Sequence, residues 1–157
     1  MKRIWPVAVL LLVAGCGVQP SGVDDGGEAP TGVAPGVTLY FVDERGELQP
    51  QLRDTGRLGT VSEALTLLLL GPGGSKLRTE IAPSTTPRVG VTTTPDVIQL
   101  MMPLTADDVT PRGIGQIVCT TLGVHVQSGG ARDMKVRVRF VQDSPESDVE
   151  RTCPLIR

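Results

Sequence analysis

The residues of this chain whose types invite chemistry are few: one histidine, three cysteines, two acidic pairs and one short basic stripe. His125 is the only imidazole. In an extended Val124-His125-Val126 segment it would point away from its neighbours, toward solvent or a sheet edge. A Ser-His-Asp arrangement would have to use it, yet no G-x-S-x-G elbow accompanies it, so a surface histidine is the expectation. A zinc site wants four ligands at defined spacing, which one histidine and scattered cysteines do not supply. Asp107-Asp108 lacks the acidic ladder of a calcium loop and reads as help in starting a helix at Thr110; Asp24-Asp25 falls in a Gly/Pro-rich stretch. Lys135, Arg137 and Arg139 alternate with apolar residues, as the solvated outer face of a strand does; the functional alternative is attraction to anionic lipid or cell-wall polymer. No catalytic residue, metal or cofactor emerges from these groups, and the chain reads as a non-enzyme.

The first residues give an address. MKRIWPVAVLLLVAGC has a basic start, an apolar run from Val7 to Val13, and small residues before a cysteine. The run is shorter than the roughly 20 residues that span a bilayer, so it reads as a secretory leader. Val13-Ala14-Gly15-Cys16 resembles the bacterial lipobox, with Val13 where leucine is commonest. That resemblance implies cleavage after residue 15, a diacylglycerol on the Cys16 thiol, and a protein held at the extracytoplasmic face of the cell membrane. Residues 16–36, rich in Gly, Pro and acids, predict a flexible tether; about 20 residues of random coil reach roughly 25 Å. Without Lys2 and Arg3 the mature chain carries 13 basic and 17 acidic residues, and no basic cluster displaces counterions, which excludes nucleic acid as a partner. Tyr40, Phe41 and Phe140 are its only aromatic residues, too few for a stacking platform.

Cys119 and Cys153 remain once Cys16 is lipidated. Outside the membrane an even pair is expected as a disulfide, with free thiols and metal ligation as the alternatives. Closing that loop of about 35 residues contributes roughly 4 kcal/mol on the chain-entropy account.

The elements that must position these groups centre on Thr60 to Pro72, TVSEALTLLLLGP. Thr60 and Glu63 make a capping box; Val61, Ala64, Leu65 and Leu68 share one helical face that Leu67, Leu69 and Leu70 widen. Gly71 suits the left-handed end and Pro72 forbids continuation. Val37 to Val42 predicts a strand apolar on both faces, or with Thr38 and Tyr40 on a partly wet one. Glu47 to Gly59 reads as a surface run, and Ala82 to Pro87 as a proline-marked connection. Arg88–Thr94 and Val97–Met102 predict a hairpin turning at Pro95-Asp96. Thr110-Pro111 opens a second helix that Gly123 would end. In KVRVRFV, Val136, Val138 and Phe140 face inward. The fold class is α/β of the α+β kind, in the order β-α-β-β-α-β: two helices on a four-stranded mixed or antiparallel sheet. Residues 37–142 would be the domain and 143–157 a tail too polar to dock by burial, pinned by the disulfide.

The Leu39-Tyr40-Phe41 strand, the Glu63-Ala64-Leu65 helix start, Leu70-Gly71-Pro72, the connection with Pro83 and the Gln116-Ile117-Val118 helix together resemble the GerMN domain of sporulation and spore-germination proteins. The resemblance implies an α/β module outside the membrane, related to ring-building modules, with no catalytic residue. This chain has one copy and a Pro95-Asp96 turn in place of a glycine turn. The expected function is a lipid-anchored, non-catalytic docking module with an envelope protein as partner. The alternative is a binder of a small molecule or wall polymer in a pocket between helix and sheet.

Overall fold

The computed structural model describes residues 36–156; the leader, Cys16 and the rest of the tether lie outside them. β1 (Gly36–Val42) is covered along almost its whole length: Val37, Leu39, Tyr40, Phe41 and Val42 are buried and Thr38 is half-buried. It pairs antiparallel along its whole length with β2 (Leu48–Asp54), which sets Thr38 opposite Leu52 and Tyr40 opposite Pro50. The 47–59 stretch is therefore half strand. Pro50 hid it, because proline cannot donate to a ladder. Here the Tyr40 N–H and C=O turn away from β2 to bond a helix, so Pro50 faces its missing donor outward, where it also blunts an open edge. The turn between the two strands is organised by Asp43, whose carboxylate accepts from the Arg45 and Glu47 N–H groups at 2.9 Å each.

α1 (Val61–Leu69) carries the expected capping box: the Thr60 hydroxyl accepts from the Glu63 N–H at 3.2 Å, and the Glu63 carboxylate accepts from the Thr60 N–H at 2.7 Å. Ala64, Leu65 and Leu68 are buried. Gly71, at φ +88°, closes the helix by donating to the Leu68 carbonyl at 3.0 Å. The apolar face is narrower than the leucine run suggests, since Leu70 is 67% exposed.

β3 (Gly90–Thr93) and β4 (Val97–Met101) form the hairpin about Pro95-Asp96, with the Thr94 N–H on the Val97 carbonyl at 2.9 Å. β5 (Lys135–Arg139) lies parallel to β4, and β6 (Glu150–Arg151) antiparallel to β5. The α+β class, the two helices and a mixed four-stranded sheet are as the pattern predicts. The sheet runs β3-β4-β5-β6, and the chain order is β-β-α-β-β-α-β-β rather than β-α-β-β-α-β. Membership of the sheet differs. β1 does not join it but makes a separate ribbon with the unforeseen β2, and the polar tail supplies the fourth strand.

α2 (Pro111–Gln127) opens as predicted, with Pro111 at its first position and the Thr110 hydroxyl accepting from the Gly113 N–H at 3.1 Å. It does not stop at Gly123. Val124, His125 and Val126 form its last turn, not an extended piece, and Gly129, at φ +85°, takes the left-handed end. A helical glycine costs about 1 kcal/mol relative to Ala; a Cβ at residue 123 would lie 3.4 Å from the Tyr40 ring, in ordinary van der Waals contact.

α2 touches β1, β5 and α1, and its residues from Gln116 to Val124 are buried on every side. Its polar members stand in for a strand that β1 lacks. The Tyr40 N–H donates to the Thr120 hydroxyl at 3.0 Å, and the Gln116 amide donates to the Tyr40 carbonyl at 3.1 Å. The Gln116 oxygen accepts from the Glu80 N–H at 2.8 Å. Buried backbone groups must be paired, and two side chains of one helix do the pairing.

Candidate docking surface

Cys119, in the middle of α2, and Cys153, just past β6, are joined: their Cα atoms are 4.9 Å apart and their sulfurs 2.04 Å. Both are buried. The bridge holds the last residues against α2, and there a cleft with a partly apolar lining begins.

A cleft of about 590 Å³ runs between the outer face of β1, the end of α2 and the tail. Its floor is Tyr40 and Gly123, its walls are Thr38, Val126 and Gln127 on one side and Pro154, Leu155 and Ile156 on the other, with Arg132 at the rim. The Gln127 amide donates to the Thr38 hydroxyl at 3.2 Å. Burial of the Tyr40 ring pushes its phenol above the ordinary value. Leu155 is 51% exposed, and Leu52, across the ribbon from Thr38, is 59% exposed. Thr38 is half-buried and Tyr40 buried, so the exposed apolar groups beside this part of β1 are Leu52 and Leu155. Of the two expectations for β1, the partly wet face holds for Thr38, which is half-buried, and not for Tyr40, which is buried. The walls from the tail were not foreseen, although Pro154-Leu155-Ile156 directly after a bridged cysteine is an apolar run in an otherwise polar segment.

A smaller groove of about 290 Å³ lies beside α1, lined by Val37, Leu58, Ala64, Thr66 and Leu67 with the Arg57–Glu63 ion pair at its rim. The Arg57 guanidinium foremost, then Thr60, hold the Glu63 carboxyl down at about 2. Those charges serve the helix cap, and nothing in the groove converges on a ligand.

The remaining residues singled out by type fall elsewhere. His125 is half-buried in the last turn of α2, its ring packed so closely on Gly130 that a Cβ there would come within 2.2 Å of Nε2. That nitrogen has no hydrogen-bond partner among the described residues, and no carboxylate orients the ring. The basic stripe is occupied: Lys135 and Arg137 pair with Glu150 at 3.3 and 2.7 Å, and Arg139 with Asp148 at 3.3 Å. The tail that looked too polar to dock is thus held by ions at its middle and by the disulfide at its end. Asp108 accepts from both the N–H and the hydroxyl of Thr105, which hold its carboxyl below the ordinary range and fix a turn of 3-10 helix at Ala106–Asp108. Among the described residues no group of three His, Cys, Asp or Glu side chains stands together as metal ligands would, and no helix is long and apolar enough to cross a membrane. No family model, curated protein or solved structure matches this chain.

Proposed function

We propose that this chain is a lipid-anchored, GerMN-like module of the cell envelope that acts by docking a partner protein, without catalysis. One observation carries the reading: Leu155, in the lining of the cleft with Tyr40, and Leu52, paired with Thr38 across the ribbon, are both exposed. Exposed apolar surface gathered in one place is what association uses, and an aromatic floor ringed by aliphatic groups suits an apolar side chain presented by a partner. The lipobox at Cys16 and the leader support the address, and the GerMN resemblance supports the module.

The cleft volume, within the range that small-molecule sites occupy, favours the second reading, a binder of a small molecule or wall polymer. Against it, the cleft is open, and the Thr38 hydroxyl already accepts from the Gln127 amide. The two readings separate by photo-crosslinking in intact cells from a reactive residue at position 155. Docking predicts one adduct of defined protein mass that Leu52→Asp abolishes without changing the melting temperature. No adduct, or one indifferent to Leu52→Asp, contradicts it.

A further inference from the structure

The connection between α1 and β3 has a composition that its structural role leaves unexplained. Pro83-Ser84-Thr85-Thr86-Pro87 puts three hydroxyl residues between two prolines, a pattern typical of O-glycosylated segments. The loop is fastened at both ends: the Ala82 N–H donates to the Asp108 carbonyl at 2.7 Å, and the Thr66 hydroxyl to the Pro87 carbonyl at 3.0 Å. Between these points the chain has no helix or strand, and Thr85 and Thr86 are exposed. Neither of their hydroxyls makes a hydrogen bond among the described residues. The Ser84 hydroxyl, by contrast, accepts from the Thr86 N–H at 3.3 Å. Thr92, Thr93 and Thr152 are likewise exposed with no side-chain hydrogen bond among the described residues, but they do not stand between two prolines. Thr60 and Thr110 cap helices, Thr66 and Thr120 bond backbone, and Thr94 closes the hairpin. The chain bends at Thr85 and Thr86, which puts both at the tip of the connection, where no strand ladder has to break for another enzyme to reach them.

We propose that Thr85 and Thr86 are acceptor sites for an O-linked sugar, added by an envelope glycosyltransferase from a glycosyl phosphate donor. The threonine oxygen attacks the anomeric carbon of the donor. A carbon–oxygen glycosidic bond forms as the anomeric carbon–phosphate oxygen bond breaks; the phosphate leaves with the electron pair, and the hydroxyl proton passes to the transferase. Nothing is oxidised or reduced. The inference rests on the extracytoplasmic address proposed above, because the acceptor loop must meet such a donor outside the membrane.

Trypsin tests it on the full chain purified from the membrane of cells that make it. Cleavage after Arg78 and Arg88 releases Thr79 to Arg88, which holds both acceptors, and cleavage at Arg112 releases Val89 to Arg112, with Thr92, Thr93 and Thr94, as an internal comparison. The expected result is that Thr79 to Arg88 carries whole hexose masses, that these vanish in Thr85→Val with Thr86→Val, and that the variant melts as the parent does. A bare Thr79 to Arg88 beside a lipidated Cys16 peptide overturns the acceptor assignment and leaves the address standing. A bare peptide with the leader retained overturns both. A phosphate mass, or sugar confined to Val89 to Arg112, also overturns it.

Discussion

Replacing Gln116 by leucine keeps the volume of the side chain and leaves two enclosed backbone groups without partners, the Tyr40 carbonyl and the Glu80 N–H. An unpaired buried group costs about 1–3 kcal/mol, so Gln116→Leu should destabilise by roughly 2–5 kcal/mol in urea unfolding, although it is the more apolar residue. A neutral or stabilising result would mean that water or a shifted backbone takes over both bonds. Glu63 gives a residue-scale dependence on pH. Its carboxyl is held near 2 in the folded chain against an ordinary 4.5, so the stability it contributes is whole above about 4.5 and is lost as pH falls toward 2. The gap in stability between the parent and Glu63→Gln should narrow across that window. A gap that stays constant there would mean that Arg57 and Thr60 do not hold the charge.

The elements were legible in proportion to how local their causes are. The capping box, the glycine end of α1, the Pro95-Asp96 hairpin and the alternation of β5 depend on residues within a few positions of one another, and they stand as the sequence predicts. β2 depends on something distant: Pro50 is acceptable in a strand because Gln116 and Thr120, on a helix more than sixty residues later, take the Tyr40 bonds. The end of α2 is misread too. Gly123 looks like a stop, but its backbone stays helical and the left-handed residue is Gly129. The centre of the fold moves too. α1 has the denser leucine run, but α2 is the helix enclosed on all sides. Leu68 still faces the core completely, and Leu68→Ala should cost about 2–5 kcal/mol, whereas Leu70→Ala, at an exposed position, should cost well under 1 kcal/mol. Equal losses in thermal melts would contradict the helix orientation.

At the scale of the molecule, the candidate face is assembled from parts that sequence keeps apart: Thr38 and Tyr40 from β1, Leu52 from β2, Val126 from α2 and Leu155 from the tail. The disulfide was legible because only two cysteines remained to pair; the cleft it shapes was not, because closure depends on where Pro154 to Ile156 land. The same bridge and the address of the chain meet in one measurement, the intact mass of the protein extracted from membranes with detergent and alkylated without reduction. The account predicts a chain beginning at Cys16 and carrying lipid, with no alkylated thiol because Cys119 and Cys153 are joined. A mass that retains Met1, bears no lipid and takes up alkylating agent at Cys16, Cys119 and Cys153 would contradict it.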